Sequence, residues 1–132
     1  MKPWMEMVRQ LVFMVEYFDM HEWVDLGSVS EVRELLKDNP SFLPSSPGVY
    51  TIVYSDYDYI GRAIRRGGLR RRIKEHLRVS DAMWNDPHYI DLFHVKIISM
   101  KGILYGRLMA RIVESVLISF HKPTLNRNGK LG

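Results

Sequence analysis

Gly48-Val49-Tyr50-Thr51-Ile52-Val53-Tyr54-Ser55-Asp56-Tyr57-Asp58-Tyr59-Ile60-Gly61 is the stretch that decides the fold. β-Branched and aromatic side chains dominate it, and these suit a pleated, half-buried surface. Thr51 to Tyr54 form one arm of a β-hairpin over residues 48–61, Tyr57 to Ile60 form the other, and Ser55-Asp56 make the turn. That turn lacks the glycine usual in two-residue hairpin loops, which leaves its type open. Tyr50 stands two residues after Gly48 and Tyr59 two before Gly61, and at a glycine the backbone can approach a ligand closely.

Beyond the hairpin, Gly67-Gly68 breaks the chain before a helix over about residues 69–79. Residues 62–78 hold eight Lys or Arg and one acid. Advancing about 100° per residue from Leu69 puts Ile73 and Leu77 at about 40° and 80°, a core stripe, and Arg72 and His76 at about 300° and 340°, on its shoulder. Arg70, Arg71, Lys74 and Arg78 face outward, as phosphate-backbone contacts or as solvated charge. Arg62, Arg65 and Arg66 lie in the loop that enters this helix. A third strand is expected over about 91–99, where Phe93, Val95 and Ile97 alternate with His94 and Lys96. A long amphipathic helix follows over 104–121. On it Glu114 shares a row with Ala110 and Ile118, and a carboxylate so placed needs a cation. A metal ion would serve, or a salt bridge to Arg72, Arg107 or Arg111. His88, His94 and His121 lack ligand spacing, so no zinc site is expected.

Toward the N-terminus, Ser28 and Glu31 form a capping box for a helix over about 29–38. Residues 3–20 read as a helix with Trp4, Val8, Leu11, Val15 and Phe18 in one stripe. Its apolar surface exceeds what one face needs, which points to a homodimer contact or to a lid on the chain's own core. Three prolines and three serines in 39–47 read as a linker. The expected organisation is a helical N-terminal extension with linker over 1–46 and a second domain over 47–132. The expected fold class is α+β, a three-stranded antiparallel sheet flanked by helices.

The composition, 46% apolar and 26% charged, is that of an ordinary globular domain. With no cysteine there is neither a disulfide framework nor a thiolate zinc site. No apolar run reaches the length of a membrane span, and no secretory cleavage pattern is evident. An intracellular location, cytoplasmic or nucleoid-associated, with no membrane partner, is therefore expected. Net charge is +4, but residues 1–47 carry four basic and eight acidic side chains, so the positive field belongs to the segment after Tyr59. Such asymmetry steers polyanions to one face.

The set GVY at 48–50, YIG at 59–61, Arg72, His76, Glu114 and Asn126, in that order, resembles the GIY-YIG nuclease family from Pro47 to Asn126. One departure is the gap between the two tyrosines, which is a residue or two longer in many members. The resemblance implies a divalent-metal-dependent endonuclease acting on DNA in restriction, homing, repair or recombination, and leaving 5′-phosphate and 3′-hydroxyl ends. It implies that Glu114 holds Mg²⁺, with Mn²⁺ as a substitute, and that Arg72 steadies charge on the phosphate. One tyrosine takes the proton of water and the other orients the phosphate. Tyr50 is assigned the first role and Tyr59 the second, and the two labels are exchangeable. His76 either assists Tyr50, accepts a proton itself, or is a structural histidine bonded to a backbone carbonyl. Gly48, Gly61 and Asn126 are structural in this reading. The alternative is a non-catalytic nucleic-acid-binding or assembly module that uses the same basic surface. A targeting protein, bound through residues 1–46, is a further expected partner.

Overall fold

A computed structural model describes residues 2–6, 9, 23–54, 57–78, 91–123 and 126. Strand β1 spans Val24–Ser28, α1 Val29–Asp38, β2 Gly48–Val53, β3 Tyr57–Ala63, α2 Gly68–Arg78, β4 His94–Ser99 and α3 Gly106–His121, with a short 3-10 turn at Pro40–Phe42. The helix expected over 3–20 lies mostly outside the described residues, as does the hairpin turn at Ser55-Asp56.

The sheet has four strands in the order β1-β4-β2-β3, not three, and every neighbouring pair is antiparallel. The additional strand lies within the segment read as a helical extension. Val24-Asp25-Leu26-Gly27-Ser28 offers two apolar residues among types that strands disfavour, so it carries no local strand signal. Pairing with β4 makes it a strand, with Val24 opposite Ile97 and Ser28 opposite His94. A register shift falls between Asp25 and Gly27. Gly27 takes a positive φ there, and its N–H donates to Asp25 Oδ1 at 2.8 Å.

The capping box forms as its sequence specifies. Glu31 N–H donates to Ser28 Oγ at 3.1 Å, and Ser28 N–H donates to Glu31 Oε1. The proline-rich stretch 39–47 is packed against the sheet-and-helix core. Leu43 is fully buried, and the carbonyls of Ser46 and Pro44 accept from Leu69 and Arg70, two N–H groups in the first turn of α2.

Alternation along β2 divides the core in two. Tyr50 and Ile52 join Tyr59, Val95, Ile97 and the buried faces of α1 and α2 on one side. Val49 joins Ile60, Ile98 and the Ala110, Val113 and Leu117 row of α3 on the other. The sheet is therefore covered by helices on both faces, and β3, at its edge, is where the two layers can meet.

Gly48 opens β2 opposite both Ala63 and Ser99. A Cβ there would overlap the backbone oxygen of Ile98 and meet the Leu69 side chain at 2.6 Å. Gly48→Ala should therefore lower unfolding free energy by about 1–3 kcal/mol through overpacking, read as a lower urea midpoint at unchanged slope. An unchanged midpoint would show that β4 yields to a methyl group.

Candidate active site

Four of the residues singled out in the sequence converge on the α2 face of the hairpin. Tyr50 lies opposite Gly61 in the β2–β3 register, and Tyr59 lies opposite Ile52. Gly61 has no side chain, and the Tyr50 ring occupies the space it leaves. A Cβ at Gly61 would stand 2.6 Å from Tyr50 Cζ and 2.7 Å from its hydroxyl. The two phenol rings are 5.8 Å apart, and the His76 ring meets Tyr59 edge-on at 4.7 Å. The Tyr50 hydroxyl lies 2.7 Å from His76 Nδ1. Thr51, buried beside them, donates its hydroxyl proton to the Tyr59 carbonyl at 2.8 Å and so pins that residue to β2. Arg72, one turn before His76, is part-buried and hydrogen-bonds both phenols.

Glu114 stands on the opposite layer, where α3 packs on β3, and is buried with Ala110, Val113 and Leu117. Its partner is Arg62, whose Nη1 donates to Glu114 Oε1 at 2.9 Å. This differs from the partners the sequence offered, Arg72, Arg107 and Arg111. Arg62 follows Gly61 on β3 and therefore projects to the α3 face, a consequence of strand alternation that residue spacing alone does not connect to residue 114.

The two layers open into one cavity of about 1020 Å³ at the β3 edge, lined by Arg72 from α2 and Glu114 from α3. Arg62, Arg65, Arg66 and Arg71 line it as well. So do Arg107 and Arg111, which from sequence are expected only as partners for Glu114. Their signal was there: residues 107, 111 and 114 fall in one row of a helix. Tyr50 and Tyr59 are almost wholly buried and reach this cavity through Arg72. Arg70 is used otherwise, since its Nε donates to the Leu43 carbonyl at 2.8 Å and its guanidinium helps to hold the 39–47 segment. Lys74 is exposed away from the cavity lining, and the Arg78 side chain is outside the described set. Asn126 brackets the backbone of Ile60. Its Oδ1 accepts from Ile60 N–H at 2.9 Å, and its Nδ2 donates to Ile60 O at 2.8 Å. It thus satisfies polar groups on the open edge of β3 as a further strand would.

Burial sets the electrostatics. It holds the Tyr50 phenol well above its ordinary value, Tyr59 adds to this, and Arg72 opposes it. Burial also raises Tyr59, against the Tyr50 hydrogen bond and Arg72. Burial raises Glu114 too, and Arg62 pulls it back. Both phenols are therefore neutral at pH 7. Among the described residues there is no group of three or more His, Asp or Glu side chains placed to cage a metal ion. One buried carboxylate on an open cavity still fits a hard cation of the Mg²⁺ kind, which keeps its waters and shares substrate oxygens. Arg62 holds Oε1, one of the two carboxylate oxygens. No helix among the described residues is long and apolar enough to cross a membrane. No family model matches the chain, and no curated protein matches it in sequence.

The raised phenols have a measurable consequence. Below about pH 10 folded and unfolded chains both keep these protons, so nothing is lost. As pH rises further the unfolded chain gives them up first, and stability should fall toward the folded values. Alkaline difference spectroscopy should show delayed ionisation of the Tyr50 and Tyr59 phenols, lost in urea. Tyr50→Phe and Tyr59→Phe should each remove one delayed step. Normal titration of all phenols in the folded state would contradict the burial described.

Proposed function

We propose that the protein is a divalent-metal-dependent endonuclease of the GIY-YIG type, hydrolysing DNA phosphodiester bonds to 5′-phosphate and 3′-hydroxyl ends. The observation that carries this reading is a single cationic cavity lined by Arg72 from one face of the sheet and Glu114 from the other, with Tyr50, Tyr59 and His76 packed behind Arg72.

The residues divide the work by position. The arginines lining the cavity attract the polyanion and hold its phosphates. Arg72 offers a planar fork to the scissile phosphate, and it meets the increasing negative charge as water attacks phosphorus. A neutral phenol with a raised pKa is a poor base when alone. With His76 Nδ1 unprotonated, Tyr50 O–H donates to it at 2.7 Å, so Tyr50 can take the proton of water while passing its own to His76. This assigns His76 the assisting role and Tyr50 the base role. Tyr59, packed against both, orients Arg72. Glu114 would hold Mg²⁺, and the bound ion would supply Lewis-acid stabilisation to the departing 3′ oxygen.

The Arg62–Glu114 ion pair favours a second reading, in which the carboxylate is permanently neutralised and the cavity only binds nucleic acid. The two readings diverge at Glu114→Gln. A nuclease should lose plasmid nicking in Mg²⁺ by at least roughly 10²-fold while keeping DNA affinity. A binding module has no nicking to lose, in Mg²⁺ or in EDTA, and the proposal would then fail.

The arginines separate by role in the same assay. Arg72→Ala should cost roughly 10²-fold or more in cutting with little effect on binding. Arg71→Ala should weaken binding to all DNAs alike and lower the salt slope by up to about one unit. Matching losses in both variants would reduce α2 to a charged surface.

A further inference from the structure

The loop that leads into α3 and the first turn of that helix present large apolar side chains to solvent. Leu104 is 78% exposed, Tyr105 73% and Leu108 57%. Tyr105 sits in the left-handed region at φ 57, ψ 45, a conformation that a bulky residue adopts only when its surroundings impose it. Its carbonyl accepts from Met109 N–H at 2.9 Å, so the residue is built into the start of the helix while its ring points outward. The ring lines a second, mainly apolar hollow of about 600 Å³ with Met100, Ile103 and Leu108. Lys101 and Arg107 supply cations to the same hollow. Arg107 and Leu108 also line the cationic cavity, so the two spaces share a wall.

From this adjacency we infer that Tyr105 and Leu108 form a stacking platform for an unpaired nucleobase of the bound strand. The inference rests on the nuclease reading, and it names the substrate class as DNA with unstacked nucleotides, such as a bulge or flap. The dimensions agree. Leu108 and Glu114 are six residues apart on α3, about 9 Å along its axis. A stacked strand rises about 3.4 Å per position and an unstacked one more, so a few nucleotides span that distance. The phosphates remain among the arginines, and the base, with its apolar face, meets a phenol and an aliphatic side chain. Single-strand binding surfaces combine a cationic groove and aromatic rings in this way.

The test uses the full chain in EDTA, so that binding is read without cutting. Anisotropy titrations compare a fully paired duplex with the same duplex carrying a two-nucleotide bulge that includes 2-aminopurine. The parent protein should prefer the bulge by about tenfold and quench the 2-aminopurine. Tyr105→Phe should keep both properties. Tyr105→Asn, which tolerates the left-handed backbone, should lose the preference with its paired-duplex affinity intact. Leu108→Ser should lose part of it. If the preference is absent from the parent, or survives Tyr105→Asn, the platform is overturned while duplex binding leaves the nuclease reading standing. If neither DNA binds, both readings fall together. If Tyr105→Asn abolishes self-association in sedimentation velocity and leaves DNA discrimination unchanged, the patch is a contact between copies and the inference is overturned.

Discussion

Strand β2 has helices over both faces and a hydrogen-bonded neighbour along each edge, and its residues are buried almost without exception. Every side chain on it must fit one of two separate cores, and each fit fixes a neighbour. Tyr50 lies over Gly61 because no other residue type leaves room for the ring. That ring and Tyr59 then set where Arg72 and His76 stand on α2. On the other face Val49 and Ile60 pack with the Ala110, Val113 and Leu117 row of α3, which carries Glu114 to the same edge. The cavity is thus a by-product of packing around one strand, which brings together groups far apart in sequence.

Much of this was legible in the sequence because it is local. The capping box at Ser28 and Glu31 needs only four consecutive residues, and it forms as expected. The Arg72–His76 shoulder follows from helical periodicity, and both residues lie on the core side of α2. Row arithmetic likewise placed Glu114 at the core boundary. What escaped was pairwise and distant. Strand β1 exists through its pairing with β4, and its own residues argue against it. The Glu114 partner sits on the neighbouring strand, 52 positions earlier. Arg70 looked like its neighbours on a helical wheel, yet the Leu43 carbonyl claims it, and only the path of the 39–47 segment decides that.

The cavity is electrostatically unbalanced. Seven arginines and two glutamates line it, and one glutamate is engaged by Arg62 and the other by Arg71. Cations crowded around one hollow repel one another, and an anionic ligand relieves that repulsion. Affinity and fold stability are then linked, because whatever binds the folded chain alone stabilises it by mass action. The Arg62–Glu114 pair fits this picture as an internal substitute, a cation and a carboxylate satisfying each other.

The strand order has a temporal side. β1 is the first strand of the sheet to leave the ribosome and β4 is the last, yet they are neighbours. The hairpin of β2 and β3 can close early, because its partners are adjacent in the chain. β1 must wait until nearly the whole sheet-forming segment has been synthesised. Until then α1, nucleated by its capping box, carries Val29 and Val32 with no sheet partner in place, and the nascent chain exposes them. The β1–β4 pairing therefore closes the longest loop in the sheet, at the edge opposite β3.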